Sequence, residues 1–70
     1  MIRRPVSSSN LKSVGYDPDS ALLEIEFQDG SIYQYSGVPQ NVHQALMAAA
    51  SLGSFVHKHI RGKYSYRKVN

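Results

Sequence analysis

Along "ALLEIEFQ" (21–28), Leu23, Ile25 and Phe27 alternate with Glu24, Glu26 and Gln28. This period of two is what a strand buried on one face imposes. The "DG" that follows at 29–30 signals a hairpin into a second strand, "SIYQYS" (31–36). Two registers compete. A two-residue Asp29-Gly30 loop would set Ile25 opposite Gln34 and turn Tyr33 and Tyr35 to the side of Glu24 and Glu26. A three-residue Gln28-Asp29-Gly30 loop, with Gly30 left-handed in a G1 bulge, would pair Ile25 with Tyr33 and Leu23 with Tyr35. The second keeps the large apolar surface on one face, and a one-residue slip would destroy that, so it is the expected register. Both tyrosines then join the core with their hydroxyls at a polar rim, while Ile32 and Gln34 lie outside. Glu24, Glu26 and Gln34 form a wet acidic face, unsuited to stacking bases.

Upstream, "NLKSVGYD" (10–17) reads as a first strand and "DPDS" (17–20) as a turn. Residues 1–9, with Pro5 and Ser7–Ser9, read as a flexible arm. Downstream the period changes. Val42, Ala45, Leu46 and Ala49 form a helical stripe, with Pro39 at the first helical position and Gly53 as the left-handed cap. A second helix is expected over 54–62, from Ser54 to a stop at Gly62. At 100° per residue, Phe55, Val56, His59 and Ile60 share one face and His57, Lys58 and Arg61 the other. His59 is therefore expected to be buried against the sheet and His57 exposed. The tail 63–70 is extended. The reading is a single α+β domain over 10–70: a three-stranded antiparallel meander followed by two helices on one face, in the order β-β-β-α-α.

Composition narrows the function classes. The chain has 70 residues, 41% hydrophobic and 19% charged. That fits one globular domain with a thin core. With no cysteine, disulfides and thiolate metal sites are excluded. His57 and His59 point about 200° apart on a helix and cannot share a metal, which leaves no expected metal or cofactor. Serines lack a nucleophile-elbow pattern, and Glu24 with Glu26 is the ordinary spacing of one strand face. An enzyme is not expected. The start "MIRRPVSSSN" lacks the apolar stretch of a secretory signal, and no run is long enough to span a bilayer. A cytoplasmic monomer with no membrane contact is expected.

Charge is more informative. The net charge is +3, and all five acids lie between Asp17 and Asp29. The acid-free remainder carries Lys58, Arg61, Lys63, Arg67 and Lys68, with Tyr64 and Tyr66 among them. Cations that track phosphates, with aromatics that stack bases, are the means by which single strands are bound. These seven residues are the candidate nucleic-acid contacts, although at least one of Tyr64 and Tyr66 is expected to fold back and complete the core. A solvated basic surface is the plainer reading of the cations.

"LEIEFQDGSIYQYSGVP" followed by "SLGSFVHKHIRGKYSYRKV" resembles the KTSC domain family, small domains found at the C-terminus of some lysyl-tRNA synthetases and alone in bacterial proteins. The resemblance covers about residues 9–69, with Gly30, Tyr33, Tyr35, Pro39 and Gly53 as mainly structural landmarks. It implies a stand-alone module, RNA binding by association with the synthetase, and no catalytic residue. The expected function is a small RNA-binding module. The alternative is a protein-interaction or structural module of a bacterial or phage assembly.

Overall fold

A computed structural model describes residues 1–70. Five antiparallel strands lie in sequence order, as one meander. They are β1 (Arg4–Pro5), β2 (Leu11–Asp17), β3 (Leu22–Phe27), β4 (Ile32–Ser36) and β5 (Ser65–Lys68). Between β4 and β5 stand α1 (Gln40–Met47) and α2 (Leu52–Phe55), and α2 runs on as a π-helical turn, Val56–Ile60. The α+β class and both helical segments stand; the three-stranded sheet becomes five-stranded. The two strands added are both at edges. Arg4 pairs with Val14 and Pro5 with Ser13. The tail pairs with β4, and its ladder continues to Asn70 through Val69 N–H to Ile32 O at 2.8 Å and Ile32 N–H to Asn70 O at 3.1 Å.

The hairpin register is the one expected from the pattern. Ile25 pairs with Tyr33 and Leu23 with Tyr35. Gly30 has φ +89°, a conformation that side-chain-bearing residues adopt at a cost. Phe27 N–H bonds Ser31 O at 2.8 Å, and Gly30 N–H bonds Phe27 O at 2.9 Å, closing the three-residue loop.

Leu11, Val14, Leu23, Ile25 and Tyr35 of the sheet form the core with Val38, Leu46, Val56 and Ile60. All nine are at most 3% exposed. At about 25 cal/mol per Å² of apolar surface removed from water, such a cluster is the main stabilising term of a domain this small.

The helix boundaries differ from expectation. The first helix ends at Ala48, and Ser51 rather than Ser54 caps the second, accepting from the Ser54 N–H at 3.3 Å. Pro39 is the residue before the first helical turn, with extended φ and ψ. Gly53 lies inside α2 and is not a cap; a methyl there would collide with the Asn10 side chain. The His59 expectation is overturned. Arg61 N–H reaches Val56 O at 2.9 Å, five residues back, which is the wide π winding. Val56 and Ile60 then both face the core, and His57, Lys58 and His59 between them are all exposed. The 100° rule assumed a tighter turn. His59 lies against Phe55, ring centroids 4.7 Å apart.

The partly buried histidine is instead His43 on α1, stacked on Tyr16 with centroids 4.6 Å apart and rings 9° from parallel. Removal from water lowers its pKa from the ordinary value. The Tyr16 hydroxyl donates to Val38 O at 2.6 Å, tying β2 to the start of the helical segment.

The face of Glu24 and Glu26 is not the wet acidic surface expected. Glu24 is 7% exposed. Arg3, from the N-terminal segment, forms an ion pair with Glu24 and approaches Glu26 at 3.9 Å. Arg3 Nε donates to the Ser13 hydroxyl at 3.0 Å, which donates to Glu26 at 2.9 Å, and the Gln34 amide donates to Glu24 at 2.8 Å. Burial raises the Glu24 pKa, but the Gln34 and Arg3 hydrogen bonds and the Arg3 charge outweigh it and hold it below the ordinary value.

Candidate functional site

Strand alternation decides which side chains share a face. On β3 and β4, Phe27, Tyr33 and Tyr35 lie on the helix side of the sheet. On β5, Tyr66 pairs with Tyr35 and Lys68 with Tyr33, so both join that face. The helices are short; Leu23, Ile25 and Tyr35 are buried, and α2 reaches Asn10 through Gly53, but Phe27, Tyr33 and Tyr66 stay partly open. Tyr33 is only half-buried, as Ile32 and Gln34 also are, and Tyr66 is 63% exposed.

The uncovered rings, Phe27, Tyr33 and Tyr66, form a connected ledge that abuts the covered Tyr35. Phe27 meets Tyr33 edge-on at 5.7 Å, Tyr33 stacks on Tyr35 at 6.4 Å, and Tyr66 lies 5.8 Å from Tyr33 and 6.0 Å from Tyr35. They floor a cavity of about 640 Å³, whose rim is completed by Asn10, Gln28, Asp29 and Arg61. A second hollow of about 500 Å³ shares Asn10, Phe27 and Arg61 with it and reaches Ser51 and His57. Arg61 thus stands between two parts of one groove.

The electrostatics of the groove are mixed. Burial raises the Tyr35 phenol above its ordinary value, and the nearby Arg61 cation partly offsets this. No buried side-chain polar atom lacks a partner; the Tyr35 hydroxyl, which bonds nothing in the protein, therefore reaches the cavity solvent. Asp29 is fully exposed, and its pKa is lowered by hydrogen bonds from the Ser31 side chain and backbone.

Of the residues singled out in the sequence, Arg61 and Tyr66 line the cavity, and Lys68 stands at register with Tyr33. Lys63 follows Gly62 in the turn leading to β5, and Lys58 is exposed on the π turn. Tyr64 is half-buried and packs against the core. Arg67 pairs with Gln34, on the opposite face from Tyr66. The seven residues therefore do not form one patch. Phe27, Tyr33, Asp29, Gln28 and Asn10 were not foreseen as site residues. The alternation put Phe27, Tyr33 and Tyr35 on one face, but how much of that face two short helices leave open is decided by packing.

No three His, Asp or Glu side chains converge as metal ligands would. No helix is long and apolar enough to cross a membrane.

The family model for the KTSC domain matches residues 7–64. The chain belongs to the KTSC domain family. The solved structure of a KTSC domain protein from Yersinia pestis superimposes with a TM-score of 0.95 at 49% identity, covering 99% of this chain and 97% of that one. An uncharacterized protein of Stutzerimonas stutzeri is 51% identical over 76% of this chain and 75% of its own length. A lysine–tRNA ligase of Nostoc is 39% identical over 89% of this chain, and the KTSC chain spans only 11% of that enzyme. The KTSC domain is thus found both as a small protein and as a minor part of a large one.

Proposed function

We propose that this KTSC domain binds single-stranded nucleic acid, RNA by preference, along the aromatic ledge. The observation that carries the reading is the joining of the Phe27–Tyr33–Tyr66 rings to Arg61 in one open cavity. Partly exposed aromatic rings offer stacking surface worth about 1–3 kcal/mol per base, whatever the base. Arg61 on the cavity, Lys68 at register with Tyr33 and Lys63 two residues beyond Arg61 would supply cations to the phosphates of a strand whose bases stack there. The preference for RNA rests on the lysine–tRNA ligases among the relatives. No step of this reading is catalytic, and it places the domain in the cytoplasm.

The test is an amide chemical-shift titration with a single-stranded RNA of about ten nucleotides, within the range such sites span. Shifts are expected at Phe27, Asp29, Tyr33, Arg61 and Tyr66. With three phosphates neutralised, affinity falls with salt at a log–log slope of about −2, and Arg61→Ala reduces that slope by about 0.7. Absence of binding to RNA and DNA at about 20 mM salt, where phosphate contacts are least screened, overturns the reading. The exposed edge of β5 would then make a protein-interaction module the better account.

A further inference from the structure

Two hydrogen-bond acceptors on the cavity rim are held in fixed orientation with no partner inside the protein. Asp29 Oδ1 accepts from the Ser31 N–H at 3.0 Å and from the Ser31 hydroxyl at 2.6 Å. This is the turn an aspartate makes with the backbone two residues on, and it leaves Oδ2 unused. The Gln28 side-chain amide donates to Ser8 O at 3.1 Å and to Leu11 O at 3.0 Å. Two carbonyl partners fix which end of that amide is nitrogen, and Oε1 is left without a partner. Both residues line the cavity floored by Tyr33 and Tyr66.

A ring stacked on those tyrosines therefore meets acceptors at its edge. An ionised carboxylate can only accept, and so can a glutamine oxygen. Cytosine and uracil have rings of the same size and differ along one edge: N3 is an acceptor in cytosine and a single N–H donor, flanked by two carbonyl oxygens, in uracil, so only cytosine offers two donors to a pair of acceptors. Cytosine carries the N4 amine, with two donors, where uracil carries the O4 carbonyl, an acceptor. Adenine and guanine also carry an exocyclic amine.

We infer that Asp29 and Gln28 make the cavity selective for a base bearing an exocyclic amine, so that cytosine is bound in preference to uracil. The inference rests on the single-strand reading above and adds base selectivity to it. The cytosine–uracil pair isolates the edge contact, because stacking area and phosphate charge are the same for both. The Ser31 hydrogen bonds also lower the Asp29 pKa, which keeps the carboxylate an acceptor at neutral pH.

The test compares oligocytidylate and oligouridylate of about ten residues by fluorescence anisotropy at neutral pH and low salt. The wild-type chain is expected to bind the cytidylate roughly three- to tenfold tighter, the range of one or two net hydrogen bonds. Asp29→Asn keeps an oxygen for the Ser31 turn and turns an amide N–H₂, a donor, outward; the preference should disappear or reverse in favour of uridylate. Should that variant lose the folded amide spectrum, Asp29→Ser, which retains a turn-forming hydroxyl, should likewise abolish the preference. Equal binding of both oligomers by the wild type, or an unchanged ratio in a folded variant, overturns the inference while leaving the single-strand reading standing. Failure of both oligomers to bind overturns that reading and the selectivity with it.

Discussion

The two faces of this sheet are closed by different means. On the helix side, nine apolar residues pack to near-complete burial, and the rings of Phe27, Tyr33 and Tyr66 stay partly open. On the other side there is no packed layer; Arg3 lies across β2 and β3 and satisfies Glu24 and Glu26. A domain with few large residues can afford one apolar layer, and its second face is finished with charge. The open ledge then has a plain physical reading: the apolar layer ends there, and the rings beyond it are available to a ligand.

The largest expected effect separates the covered and uncovered rings. Tyr35→Ala removes a side chain that is 3% exposed and should cost about 3–5 kcal/mol, enough to threaten folding. Tyr66→Ala, at 63% exposure, should cost less than about 1 kcal/mol, as surface changes do. Denaturant unfolding of the two variants measures the difference, and equal losses would mean that Tyr66 belongs to the core.

A middle-sized effect tests the polar face. Arg3→Ala leaves Glu24 largely buried without its cation and should cost about 1–3 kcal/mol, the range for a charge left without its hydrogen bond. A methyl on Gly15 would lie 2.9 Å from Ile2 O and 3.1 Å from the Arg3 side chain, so Gly15→Ala should lift the segment that carries Arg3. The two changes should be strongly non-additive, since both remove the same contact. Additive losses would show that Arg3 holds its place without the close approach at Gly15.

The smallest effect is the dependence on acid. The Glu24 pKa is depressed in the folded state, so its contribution is fully present above the ordinary value of 4.5 and is lost as pH falls below it. The His43 pKa is also depressed, by burial. The unfolded chain takes up that proton as pH falls through 6.5, before the folded chain does, and this too removes stability. Urea midpoints should decline in two stages on acidification. Arg3→Ala should remove most of the lower stage and His43→Phe the upper; a decline unchanged by both would assign it to other groups.

Most of the helix-side sheet was legible because its signal is local. The alternation in 23–27 and the Asp29-Gly30 turn determine each other, and only one register keeps Leu23, Ile25, Tyr33 and Tyr35 together. The polar face was not legible, because a two-residue strand has no period and Arg3 finds Glu24 across a distance no pattern encodes. His59 was misplaced because the wide π turn, which a fixed 100° step does not anticipate, keeps Val56 and Ile60 on the core and turns His59 outward with His57 and Lys58. Of the site, Arg61 and Tyr66 were visible as a basic, aromatic tail. Phe27 and Tyr33 were hidden within the core pattern, since how far two short helices reach over a sheet is decided by packing.

The order of the meander bears on how the ledge comes into being. Each pairing from β2 to β4 closes a short loop, whereas β5 reaches β4 only after the whole segment 37–64 has been placed. Loop-closure entropy and contact order therefore put the β4–β5 pairing late on the folding path. A late pairing predicts that side-chain changes at Tyr66 alter the unfolding rate and leave the folding rate nearly untouched, which a chevron plot of Tyr66→Ala would check. Because Tyr66 sits on the terminal strand, peeling that strand away dismantles the ledge, and a ligand seated there would act as a clasp on the C-terminus, slowing the opening of the domain.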